Sequence, residues 1–186
     1  MYAIQRLELE HENILAFTNY AQDLAISIME GAEINRDQLK KMVAFIRTYC
    51  DGHHHKKEED YLFKRMVEDL GDLAVKLVRQ GMMVEHDLAR KCVIDLDGAL
   101  DAYDQDPSPK NRLEVISYLM AYVHLLRDHA QKENKVVYPF AVKHLSKEAM
   151  DWVDQETKAV EDREESKKIY RDFREFIKEI PQESQD

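Results

Sequence analysis

His54-His55-Lys56-Lys57-Glu58-Glu59-Asp60-Tyr61-Leu62-Phe63 and His129-Ala130-Gln131-Lys132-Glu133-Asn134-Lys135-Val136-Val137-Tyr138-Pro139 each set a histidine four residues before a glutamate. Each adds an aromatic five residues after that glutamate. Residues i and i+4 share one face of a helix. Each stretch therefore offers an imidazole nitrogen and a carboxylate oxygen to one point in space. Working outward from His54, residues Leu39, Val43, Ile46, Cys50, His54, Glu58 and Leu62 repeat at helical spacing. Around His129 the same holds for Val115, Leu119, Tyr122, Leu126, His129, Glu133 and Val136. Both stretches thus lie on long helices whose apolar stripes carry a polar interruption.

Two more helices complete the pattern. A first runs from about Ile4 to Glu30, with Ile4, Leu7, His11, Ile14, Thr18, Ala21 and Ile28 on one face and Gly31 as its stop. Asn35 is placed to cap the second, about Arg36 to Leu70, and Gly71 to end it. The third runs from about Asp72 to Tyr103, with Gly81 separating a lead-in from a main part that carries Met82, His86, Ala89, Val93, Leu96 and Leu100. After the loop Asp104 to Lys110, a fourth spans about Asn111 to His144, with Pro139 expected to kink or end it. Ser146 caps a fifth, to about Glu165, and Lys167 to Ile180 forms a last amphipathic piece carrying Ile169, Tyr170, Phe173, Phe176 and Ile177. The tail Pro181 to Asp186 is expected to fray.

The fold expected is all-α: an up-down-up-down four-helix bundle over residues 1–145, with a C-terminal helical extension, 146–186, packing on it. Composition agrees, with 5 Gly, 4 Pro and 44% apolar residues. A net charge of −10, from 27 basic and 37 acidic residues, argues against binding nucleic acid or anionic membranes. The two cysteines, Cys50 and Cys92, form no CxxC pair and suggest reduced thiols. With no apolar run long enough to span a bilayer and no signal-peptide pattern at Met1, the location expected is cytoplasmic.

Each of the four bundle helices brings one inward histidine: His11, His54, His86 and His129. Glu58 and Glu133 make the candidate metal ligands six. Buried carboxylates without cations are costly, by several kcal/mol each. Imidazole with carboxylate suits iron, manganese or zinc. The register on the second helix stays open, since His55 and Glu59 also stand four apart; His54 and Glu58 continue the Cys50 stripe. In that register His53 and His55 flank the inner face, in water or behind the ligands, Glu59 and Asp60 face water, and Tyr122 is a packed bundle tyrosine.

Glu10-His11-Glu12-Asn13-Ile14, the two quoted stretches and Glu85-His86-Asp87, in that order across about residues 3–145, resemble the hemerythrin-like (HHE cation-binding) domain. The resemblance implies a non-haem centre of two iron ions bridged by the two glutamates, with an oxo or hydroxo bridge, and manganese or zinc as possible substitutes. The ligand implied is dioxygen, nitric oxide or peroxide, bound or sensed; the protein partner is unknown. The alternative is a di-iron oxidoreductase, detoxifying peroxide or nitric oxide or acting as a ferroxidase, or an iron-linked stress or repair factor. Ferritin-like sites use Glu-x-x-His pairs, of which Glu8 and His11 form one. A binding protein is favoured over a dedicated enzyme.

Oxygen-carrying hemerythrins depart from this pattern. They add a fifth histidine in an HxxxH pair on helix three, where the positions four from His86 are Met82 and Arg90. They also use an aspartate five residues after the helix-four histidine, where this chain has Glu133 four after His129. The expectation is a water, or another ligand, in place of the missing histidine, and with it an extra open position.

Overall fold

A computed structural model describes residues 1–179, with side chains through residue 176. The expected end at Ile180, the side chain of Ile177 and the tail Pro181 to Asp186 lie outside the described residues. Among the described residues there is no strand, and the fold is an all-α helical bundle. The first rod is α1 (Tyr2–Met29). It ends before Gly31, whose φ of +110° is a conformation that side chains with a Cβ avoid. The second rod is α2 (Arg36–Phe45), a π segment Ile46–His55, a second π segment Glu58–Leu62, and α3 (Phe63–Asp69). Asn35 caps it by accepting from the Gln38 N–H at 3.1 Å.

Gly71, at φ +71°, turns the chain into the third rod: α4 (Gly71–Val75), a π segment Lys76–Met82 and α5 (Met83–Gln105). The fourth rod is α6 (Pro109–Lys132), a π segment Glu133–Val137 and α7 (Tyr138–His144). Both expected break points lie in or directly after a π segment. The third rod passes through Gly81 in a π segment. Pro139 falls in the first turn of α7, directly after the π segment Glu133–Val137.

Each rod touches the next and the fourth returns to the first, so the bundle closes. Its interior is layered. One apolar core holds Ile14, Phe17, Ile46, Cys50, Ala89, Val93, Tyr122 and Leu126. A second holds Ile4, Leu7, Leu62, Phe63, Val78, Met82, Val137 and Tyr138. Between them, at one level on all four rods, lies a buried polar layer containing Glu10, His11, His53, His54, His55, Lys57, Glu58, His86, His129 and Glu133.

After Leu145, Ser146 caps α8 (Lys147–Glu161) and the chain turns into α9 (Glu164–Glu179). α8 lies against α1 and the 58–62 segment, and α9 against the 46–55 segment. Asp154 accepts from the free N–H groups of Tyr2 and Ala3, at 3.0 and 2.8 Å, and so serves as the cap α1 lacks in its own sequence. Phe173 packs on Phe45 and Tyr49, and Trp152 on Tyr61. No helix among the described residues is long and apolar enough to cross a membrane.

Candidate metal centre

Within the polar layer two groups of side chains converge. His11, His54, Glu58 and Glu133 form one, and His55, Glu58, His86 and His129 the other. All seven side chains are buried. The six ligands expected from the sequence are brought together, and His55 joins them. The expectation that His55 lies to the side of the inner face is corrected. Its ring stacks on that of His86 with centroids 3.9 Å apart. The cause is the π segment Ile46–His55. A π turn holds more residues than an α turn, so successive side chains diverge by a smaller angle. His54 and His55 both reach the centre, where an α-helix would send one of them aside. A fifth histidine is therefore present on the second rod, where it stands as a candidate for the other ligand expected in place of the missing one.

Gly52 is required for this winding. A Cβ there would sit 2.9 Å from the carbonyl oxygen of Arg47. Helix propensity alone favours Ala over Gly by about 1 kcal/mol. Gly52→Ala is instead expected to destabilise the chain by about 1–3 kcal/mol in a denaturant melt. It should also weaken metal binding, because the strain falls on the segment that carries His54 and His55.

The donor atoms are spaced as ligands of shared ions. His11 and His54 place their Nε2 atoms 2.9 Å apart, and His86 and His129 theirs 3.0 Å apart. Two lone pairs at that distance repel unless a proton or a cation lies between them. Neighbouring donors on one octahedral ion, each at about 2.1 Å, stand about 3 Å apart. Glu58 Oε2 lies 3.6 Å from both His54 Nε2 and His86 Nε2. Glu133 Oε2 lies 3.1 Å from His11 Nε2 and 3.2 Å from His129 Nε2. Both carboxylates thus reach both groups. Glu58 Oε2 and both oxygens of Glu133 are buried with no hydrogen-bond partner, an arrangement native proteins rarely tolerate without an ion. Glu58 Oε1 accepts from the Tyr138 hydroxyl at 2.5 Å.

A ring of acceptors fixes the imidazoles. Glu10 on the first rod accepts from His54 Nδ1 on the second at 2.9 Å. Glu59 on the second accepts from His86 on the third at 2.7 Å, and Glu85 on the third from His129 on the fourth at 2.9 Å. Asn134 on the fourth closes the circle onto His11 at 2.7 Å. Each Nδ1 proton is thereby held outward, and each Nε2 is left to the centre. Glu59 does not face water as expected; it also binds Arg90 at 2.7 Å.

The remaining histidines and the polar residues near the stripes are placed elsewhere. Tyr122 is a buried bundle tyrosine lining a cavity of about 260 Å³ behind His55, with Ile46, Ala89, Arg90 and Val93. Glu8 is exposed, so no Glu-x-x-His pair forms with His11. His124 and His144 are exposed. His53 is buried rather than solvated and stands in a third group with Glu10 and Glu161. The Lys57 ammonium fills the middle of that group, 2.5 Å from Glu161 and 3.0 Å from His53 Nε2, and leaves no room for an ion.

The sequence matches the family model of the hemerythrin HHE cation-binding domain over residues 2–141. The chain belongs to the hemerythrin family. The hemerythrin match covers all four rods and ends in α7, ahead of the C-terminal helices. Comparison with curated proteins and with solved structures returns no significant match.

Protonation in this hemerythrin domain follows from burial. Burial and the charge of Glu133 push the Glu58 carboxyl well above its usual range. Burial also opposes ionisation of Glu133, but His129, His11 and His86 outweigh it and hold that carboxyl well below. Burial lowers His54 to about 4, helped by His11. Burial lowers His86 too, yet Glu133 and Glu59 raise it above its ordinary value.

A dication entering between Glu58 and His86 therefore competes with protons. Because both are raised in the metal-free fold, their contribution to its stability fades as pH climbs through those raised values. The stabilisation conferred by metal is expected to grow as pH rises above 6.5, the ordinary imidazole value, with protons released on binding. Melting curves with and without metal at each pH, and titration in weak buffer, check the two halves of that prediction.

Proposed function

We propose that this domain holds two iron ions, bridged by Glu58 and Glu133, and binds dioxygen, nitric oxide or peroxide there. One ion is assigned to His11 and His54, the other to His55, His86 and His129. The observation that carries this reading is the convergence of unpartnered carboxylate oxygens and closely paired Nε2 atoms in a sealed layer. Imidazole and carboxylate donors suit iron, and also manganese or zinc.

Iron, when bound, supplies redox-active coordination positions for a small ligand. The chain's own groups do the rest. The acceptor ring holds five-membered rings in fixed orientations, and the apolar cores on either side exclude water. Tyr138, its hydroxyl kept protonated by burial and by Glu58, fixes one oxygen of that bridge. The burial of every ligand side chain favours a diatomic or peroxide over a bulky substrate.

Anaerobic titration with ferrous iron, followed by oxygen or nitric oxide, tests the proposal. Two equivalents per chain and a new visible absorption band on gas addition are expected. Saturation below two equivalents, or a spectrum indifferent to both gases and to peroxide, would overturn it. Sustained consumption of peroxide or nitric oxide would select the oxidoreductase form of the same reading.

A further inference from the structure

Glu10 differs from the other carboxylates of the acceptor ring. The side chains of Glu59 and Glu85 are each 17% exposed, and their second partners, Arg90 and Lys132, reach solvent. Glu10 is fully buried. Its Oε2 accepts from His54 Nδ1. Its Oε1 accepts from the Lys57 ammonium and from the Tyr170 hydroxyl. Lys57 is itself buried and bonds Glu161 at the end of α8. Arg6 ties Glu161 Oε2 at 2.8 Å and lies over the Tyr170 ring, 4.2 Å from its centre. His53 Nε2 meets the Tyr170 hydroxyl at 2.9 Å.

A buried carboxylate aims a histidine only as well as it is itself held. Two of the groups that hold Glu10, directly or through Lys57, come from residues beyond the family match, which ends at 141. They lie on helices that otherwise pack on the outside of the bundle. We propose that Glu10 is a positioning residue for His54, and that Lys57, Glu161 and Tyr170 make the C-terminal helices part of the support of one metal position only. The proposal rests on the two-ion reading above. The ion beside His11 and His54 depends on α8 and α9; the ion beside His55, His86 and His129 depends on Glu59 and Glu85, whose side chains bond His86 and Arg90 on the third rod and His129 and Lys132 on the fourth. By linkage, whatever loosens α9 releases the first ion preferentially, and occupancy of that position favours docking of α9.

Tyr170→Phe and Lys57→Met in the full chain test this. Supporting carboxylate contacts of this kind alter metal affinity by about 10–100-fold. In competition with a chelator, each variant is expected to release one of its two ferrous ions about 10–100-fold more readily, with the other unchanged. In the ferrous protein, one exchangeable, paramagnetically shifted imidazole N–H resonance should move in Tyr170→Phe while the others stay. A general loss of stability would shift both ions and all those resonances together. Equal weakening of both ions, or no weakening of either, overturns the proposal. Tyr170→Phe keeps the ring and its packing, so it decides the matter even where Lys57→Met does not fold. A wild-type chain that fails to bind two ions overturns the two-ion reading instead, and that result is distinguished from the variant results at the first step.

Discussion

Glu58→Ala is expected to abolish binding of the ion pair. Glu58 is the side chain common to both converging groups. Its Oε2 stands equally far from His54 and His86, one from each group. Removing an acceptor behind a ligand costs about 10–100-fold in metal affinity, so removing a shared ligand is expected to cost more than about 100-fold at each position. The change also takes from the buried Tyr138 hydroxyl its acceptor at 2.5 Å and leaves it only His11 Nε2 at 3.5 Å. An unpaired buried hydroxyl costs about 1–3 kcal/mol. Glu59→Ala provides the contrast. Glu59 holds His86 from behind and pairs with Arg90, so two ions should still bind, one of them about 10–100-fold more weakly. Iron counts and competition titrations of the two variants separate these outcomes. A Glu58→Ala chain that still loads two ions would rule out the bridging role.

Removing the metal should produce the second large effect. The polar layer crosses the whole bundle between two apolar cores, and it contains three buried carboxylate oxygens without hydrogen-bond partners. Apolar packing above and below holds the rods together, so the metal-free chain is expected to remain folded but weakened. An ion present at a thousand times its dissociation constant adds about 4 kcal/mol to the folded state. For a domain of this size each kcal/mol is worth about 2–4 °C. Two ions should therefore raise the melting temperature by roughly 15–30 °C, and a chelator should reverse it. A calorimetric scan that finds the same melting temperature with and without iron would contradict the account.

The four rods were legible because one apolar stripe per helix, read at helical spacing, is enough to place a bundle. Asn35, Gly31, Gly71 and Ser146 marked ends that the structure shares. The same period limited the reading of the site. His55 was hidden because the second rod is not an ideal α-helix where the ligands lie, and Gly52 directly before three histidines was the available sign of unusual winding. The acceptor ring was hidden for a related reason. Glu59, Glu85, Glu10 and Asn134 each stand next to a ligand in sequence, and helical neighbours point about 100° apart, toward the adjoining rod. Their partners therefore lie on another helix, which no spacing within one helix reveals. The adjacency itself, an acid or amide beside one ligand on each rod, was the signal present in the sequence.

The Lys57 cluster required the tertiary structure. Lys57 falls between His54 and Glu58 in a run of charged residues that reads as a solvated face. The α8 and α9 helices cover that face and supply Glu161 and Tyr170. Lys56, by contrast, is exposed and paired to Asp60.

Anomalous diffraction at the iron edge, from crystals of the iron-loaded chain, tests the central claim most directly. The account predicts two peaks that share Glu58 and Glu133, one bonded to His11 and His54 and the other to His55, His86 and His129. A single peak, or a second peak that His55 does not ligate, would contradict it.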